Sequence, residues 1–96
     1  MSRAILLVDH GSQLDAANAV LDEIAEGVRR RRRDTIVEVA HMELAKPSLA
    51  EGLARCAARG ASEVVVCPYF LGPGRHTSRD IPRLVDVLLA RVESAV

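Results

Sequence analysis

Apolar residues recur along this chain with two alternating periods. Ala4-Ile5-Leu6-Leu7-Val8 is an unbroken apolar run, the mark of a strand buried on both faces. After a break at Gly11-Ser12, Ala17, Val20, Leu21, Ile24 and Val28 return at helical spacing, through about Arg33. Asp34-Thr35 turns the chain into Ile36–His41, a β-branched strand. Pro47 is expected to open the next helix, where its missing N–H is not needed. Leu49, Leu53, Cys56 and Ala57 would form that helix's inner face, and Gly60 is a natural left-handed stop. Glu63–Cys67 carries Val64-Val65-Val66 as a third buried strand. Pro68 to Thr77, with Gly72-Pro73-Gly74, reads as a loop. Asp80 and Pro82 mark a last helix whose face is Ile81, Leu84, Val85, Leu88, Leu89 and Val92. The order β-α-β-α-β-α predicts an α/β fold, a doubly wound parallel sheet with right-handed crossovers and helices on both faces. Without repeats, linkers or low-complexity stretches, residues 1–96 are expected to form one domain.

Bulk properties narrow the function without naming it. An apolar fraction of 49% is ample for a core and argues against disorder. Thirteen basic residues balance thirteen acidic ones, so nothing draws the chain towards nucleic acid or an anionic membrane. The one charged block, Arg29–Arg33, suits a solvated helix C-terminus; as an oligonucleotide arm it lacks interleaved aromatics. The first apolar run is too short for a signal peptide or a membrane span. Cys56 and Cys67 have no zinc-site spacing and lie on apolar segments, as small core residues in a reducing compartment do. The expected location is cytoplasmic.

In open parallel sheets, ligands bind beyond the carboxyl ends of the strands. That rule singles out Asp9-His10-Gly11-Ser12, His41-Met42-Glu43 and Gly72–Ser78, each of which follows a strand. His10, Glu43 and His76 come from three strand ends, at equal intervals of one β-α unit. Two imidazoles and a carboxylate suit a divalent first-row metal, with positions left for substrate or water, but do not select which metal. A histidine at a strand end is also a common hydrogen-bonded structural residue, and both readings stay open on the spacing alone. His41 shares a face with Val37 and Val39 and reads as packing or as a support behind the ligands. Ser12 suits either donation to a bound carboxylate or capping of the first helix. Arg75 and Arg79 would meet a substrate rich in carboxylates, and Gly72 and Gly74 let a ligand approach the backbone. Two other motifs fail. The glycine loop lacks GxxxxGK[ST] and follows the third strand rather than the first. Asp9-His10-Gly11 is similar to the Arg-His-Gly of histidine phosphatases, but an acidic residue in place of the arginine would repel phosphate.

Leu7-Val8-Asp9-His10-Gly11-Ser12 resembles the opening of the small, CbiX-like sirohydrochlorin cobaltochelatases of the class II chelatase superfamily. Met42-Glu43-Leu44-Ala45-Lys46-Pro47-Ser48 looks like that family's second block. Pro68-Tyr69-Phe70-Leu71-Gly72-Pro73-Gly74-Arg75-His76 and Asp80-Ile81-Pro82 look like its third, the most specific of the three. The resemblance runs from about residue 4 to residue 85. It implies a chelatase-like, flavodoxin-like sheet and ATP-independent insertion of Co²⁺, or of Fe²⁺ or Ni²⁺, into sirohydrochlorin. The metal would be a substrate, with no tightly bound cofactor. His10 and His76 match the family's paired active-site histidines, and Glu43 stands where related chelatases place an acidic ligand.

On this pattern His10 serves as the main base and His76 holds the metal, although the two roles are interchangeable; an imidazole accepts a proton near neutral pH. The glycine loop would flank the macrocycle, with Tyr69 and Phe70 for stacking. Short members of the family continue into a fourth strand and a final helix, whereas this sequence stops at Val96. The third strand is therefore expected to be an open edge, and the chain to form a homodimer by edge pairing or segment exchange. Two alternatives use the same ligands: a non-catalytic metal or tetrapyrrole carrier, and an accessory subunit of a larger chelatase.

Overall fold

The computed structural model describes residues 2–68 and 81–94. Its elements alternate as β1 (Ser2–Asp9), α1 (Asp15–Arg31), β2 (Ile36–His41), α2 (Leu49–Ala58), β3 (Ala61–Pro68) and α3 (Ile81–Ser94). The strands are all parallel, in the order β2-β1-β3. This is the doubly wound arrangement that the alternating periods predict. Pro68, expected to open the loop, instead ends β3 opposite Val8; the rest of that loop lies outside the described residues, and with it Tyr69, Phe70, Gly72, Gly74, Arg75, His76, Arg79 and Asp80. The side chain of Ile81 does too.

β1 is continuously apolar because both of its faces are covered. Ile5 and Leu7 pack with Val37, Val39 and Cys67 against α1 (Leu21, Ile24, Ala25, Val28) and α3 (Val85, Leu88, Leu89, Val92). Ala4, Leu6 and Val8 point the other way and meet Ala40 and Cys56 beneath α2. Each face removes several large side chains from water, at roughly 1.5–3 kcal/mol apiece. The central strand is thus packed on both faces, and His10 directly follows its carboxyl end.

Two expectations about α2 need correction. The helix does not begin at Pro47: Ser48 is the N-cap and α2 starts at Leu49. The Ser48 hydroxyl accepts from the Glu51 N–H at 3.2 Å, while the Glu51 carboxylate accepts from the Ser48 N–H at 3.0 Å. This capping box leaves Pro47 outside the helix, where its carbonyl accepts the His41 N–H at 2.8 Å. The inner face of α2 is Gly52 and Cys56, whereas Leu49, Leu53 and Ala57 are exposed. The reason is close approach. A Cβ at Gly52 would stand 2.9 Å from both Ala40 Cβ and Leu6 Cδ1, so the helix rests on the sheet at its smallest residue. That contact turns the leucine stripe sideways. Gly60 does take the left-handed conformation, at φ +92°.

The arginine block closes α1, but it is not wholly solvated. Arg29 donates to the Val37 carbonyl on the outer side of β2, at 2.8 Å from Nη2, and Arg31 pairs with Asp86 on α3. Arg29 thereby occupies part of one sheet edge.

Candidate functional site

The register of β1 and β2 sets the site. The strands run in step from Ala4 opposite Ile36 to Asp9 opposite His41. The ladder then continues past the strand ends: Met42 N–H donates to the Asp9 carbonyl at 2.9 Å, and Glu43 N–H to the His10 carbonyl at 3.0 Å. His10 and Glu43 therefore leave the sheet side by side at its carboxyl edge. Their side chains meet, His10 Nε2 lying 2.8 Å from Glu43 Oε1, and they are 67% and 58% exposed. The pair stands open to solvent, where a large flat ligand can reach it.

Gly11 makes this proximity possible. It sits at φ +94°, and a Cβ there would fall 1.8 Å from the Glu43 carbonyl oxygen and 3.2 Å from His41 Cβ. Only a residue without a side chain lets the two loops touch. Ser12 follows, held by Asn18: its N–H donates to Asn18 Oδ1 at 3.0 Å, and its carbonyl accepts from Asn18 Nδ2 at 2.8 Å. The Ser12 hydroxyl accepts from Leu14 N–H at 3.0 Å, a local turn that does not cap the helix, since α1 begins later, at Asp15.

Behind the exposed pair lies a buried one. His41 Nδ1 is 2.5 Å from Asp9 Oδ1, and the residues are 3% and 7% exposed. The alternation that groups His41 with Val37 and Val39 foretells its burial. A cleft of about 420 Å³ opens beside these loops, with Ser12, Asn18, His41, Lys46 and Arg55 among its walls. Lys46 and Arg55 give it two cationic groups that sequence reasoning missed. Arg55 lies one helical turn from the glycine that seats α2, a signal legible only once the helix phase is known. A larger groove, about 530 Å³, runs along α1 and α3 and touches none of the candidate residues.

Of the three proposed ligands, the structure brings together His10 and Glu43; His76 lies outside the described residues. Among the described residues alone, no group of three His, Cys, Asp or Glu side chains is placed to hold a metal ion. The cysteines do not supply one. Both are buried, and desolvation pushes their thiols above the ordinary range, away from the thiolate that would bind metal.

A parallel α/β sheet with a histidine–carboxylate pair at its carboxyl edge is the class of protein that fold and site define. Comparison with known proteins makes this specific. The chain belongs to the CbiX family, whose model matches residues 4–96. It is 46% identical over 80 residues to the chloroplastic sirohydrochlorin ferrochelatase of Arabidopsis thaliana, covering 83% of this chain and 36% of that protein. It is 40% identical over 84 residues to the sirohydrochlorin cobaltochelatase of Methanococcus maripaludis, covering 88% of this chain and 58% of the relative. Among solved structures, SirB from Bacillus subtilis with Fe³⁺ superposes with a TM-score of 0.66 at 30% identity, over 98% of this chain and 37% of that one. The chain thus spans less than two thirds of each of these proteins.

Proposed function

We propose that this chain, in its working assembly, inserts a divalent metal into sirohydrochlorin without ATP, in tetrapyrrole biosynthesis of the cobalamin or siroheme type. Co²⁺ is the first choice of metal, with Fe²⁺ and Ni²⁺ next. The observation that carries this reading is the 2.8 Å separation of His10 Nε2 and Glu43 Oε1. Two donors bound at right angles to one ion, each at about 2.1 Å, stand about 3.0 Å apart. The pair is therefore already spaced as neighbours in one coordination sphere. His76, one β-α unit further on, is the third ligand of the proposal.

Insertion exchanges the ion's waters for pyrrole nitrogens and displaces two N–H protons from the macrocycle. Glu43 and His76 keep hold of the ion while His10, released from it as the pyrrole nitrogens bind, takes one of the two protons; the second passes to water. Exposure of the pair suits a flat macrocycle, which cannot enter a closed pocket. Ser12, Gly72, Gly74, Arg75 and Arg79 are assigned to the substrate, whose peripheral carboxylates call for cationic and N–H donors.

The assembly proposed is a homodimer. Among the described residues β3 pairs only with β1, and Val66 on it is 45% exposed. A cytoplasmic location fits two free, buried cysteines. No described helix is long and apolar enough to cross a membrane.

The test is anaerobic insertion of Co²⁺ into sirohydrochlorin, followed by absorbance, for the wild type, His10→Ala and His76→Ala. Multiple turnovers by the wild type and loss of about 10²-fold or more in each variant are expected. Equal rates in all three proteins eliminate the site. Stoichiometric binding without metallation replaces the enzyme by a carrier.

A further inference from the structure

Asp9 and His41 are the two buried polar side chains among the described residues, and the chemistry above uses neither. Burying a carboxylate against an imidazole is a poor device for stability, since apolar residues of like volume serve as well or better. What such a pair does provide is registry. Asp9 and His41 face each other as the last matched residues of β1 and β2, immediately before the chain departs to His10 and Glu43. A slip of one residue here would send every side chain to the wrong face.

His41 is also a junction. Its ring is tied to Asp9 at 2.5 Å, its N–H to the Pro47 carbonyl at 2.8 Å, and its Cβ lies against Gly11. The segment between His41 and Pro47 contains Leu44 at φ +68°, a conformation that a leucine holds only when its neighbours enforce it. Both ends of that segment are anchored through His41, and Glu43 lies on it.

We propose that Asp9 and His41 are positioning residues, which hold His10 and Glu43 at the spacing that a shared divalent cation requires. The proposal rests on the metal-insertion reading of the site. It concerns affinity for the metal more than stability of the fold.

The experiment titrates Co²⁺ alone, by its visible absorption, into wild type, Glu43→Gln, His41→Phe, Asp9→Asn and the double variant His41→Phe/Glu43→Gln. Folding is checked by circular dichroism. His41→Phe keeps a planar ring, somewhat larger than imidazole, and removes the hydrogen bond. It leaves Asp9 buried without its partner, so the fold is weakened, and in the protein that stays folded Co²⁺ affinity is expected to fall 10- to 100-fold. Asp9→Asn keeps an acceptor at Oδ1 and should retain most of the wild-type affinity. The double variant should lose less than the two single losses combined, because His41 acts in part by placing Glu43. If His41→Phe unfolds, the wild type still decides: Zn²⁺ should shift the His41 ring resonances in NMR spectra, and a ring that ignores saturating Zn²⁺ overturns the proposal. So does a folded His41→Phe with wild-type affinity, while Glu43→Gln still weakens binding. Binding indifferent to Glu43→Gln overturns the metal reading itself.

Discussion

Gly11 offers the sharpest mutational test of the site's construction, because Gly60 provides its control. Both take a left-handed φ, +94° and +92°. An alanine at Gly60 would meet nothing within 4 Å, whereas at Gly11 its Cβ would fall 1.8 Å from the Glu43 carbonyl oxygen. Gly60→Ala therefore carries only the conformational penalty, about 1–2 kcal/mol. Gly11→Ala carries the same penalty plus an overlap with backbone that cannot rotate away. The two loops must part by about 1.6 Å, from 1.8 to 3.4 Å, to reach ordinary contact, which adds about 1–3 kcal/mol. With about 4–8 °C per kcal/mol for a chain this size, the melting temperature of Gly11→Ala should fall about 4–24 °C further than that of Gly60→Ala. The functional contrast is sharper. Parting the loops separates His10 from Glu43, and a misplacement of about 1 Å can reduce rate by roughly 10²-fold. Gly60→Ala should keep wild-type Co²⁺ affinity and insertion rate. Calorimetric unfolding and Co²⁺ titration on the three proteins decide the matter. Equal melting temperatures and equal affinities for both variants would refute the close-contact account.

Removing the cap, Ser48→Ala, should cost about 0.5–2 kcal/mol in urea unfolding. The hydrogen bonds from Ser48 lower the Glu51 pKa, so the stability they confer is present above the unfolded carboxylate range and disappears as pH falls through the lower folded value. Ser48→Ala keeps the backbone N–H, the larger cause, and removes the hydroxyl, so it should make that acid limb shallower only in part, whereas Glu51→Gln should abolish it; a limb unchanged in Glu51→Gln argues against the capping box. Cys56 and Cys67 have thiols raised by burial, so their contribution is complete below the unfolded value of about 8.5 and is lost as pH rises towards the folded one. Iodoacetamide at pH 7.5 should label both slowly in the native protein and readily in urea, as mass spectrometry would show. Rapid native labelling contradicts their burial. Asn18→Ala releases the Ser12 backbone and should raise KM for sirohydrochlorin several-fold with little change in Co²⁺ affinity; an unchanged KM removes Ser12 from the substrate side.

Element order was legible because a two-faced strand and an amphipathic helix leave different periods in a sequence, and three of each alternate here. The placement of His10 and Glu43 on neighbouring strand ends followed from that order, and their contact at 2.8 Å is a consequence of register. The interior of α2 was not legible. Helical spacing offers Leu49 and Leu53 as the buried stripe, but the depth at which the helix sits is set by Gly52 against Ala40 and Leu6, a tertiary contact. The start of α2 was misread for a local reason: Pro47 is a strong opener, yet Ser48 with Glu51 three residues on is stronger, and that signature stands in the sequence. The Asp9–His41 bond joins residues 32 apart and depends on strand pairing, which composition cannot reveal. The alternation of β2 does foretell that His41 is buried.

A crystal structure of the protein soaked with Co²⁺ addresses the central claim most directly. The account predicts one ion bound at once by His10 Nε2, a Glu43 carboxylate oxygen and His76, with the remaining positions held by water. Cobalt bound elsewhere, or an imidazole of His76 too distant to share the ion with His10 and Glu43 in either protomer, would contradict it.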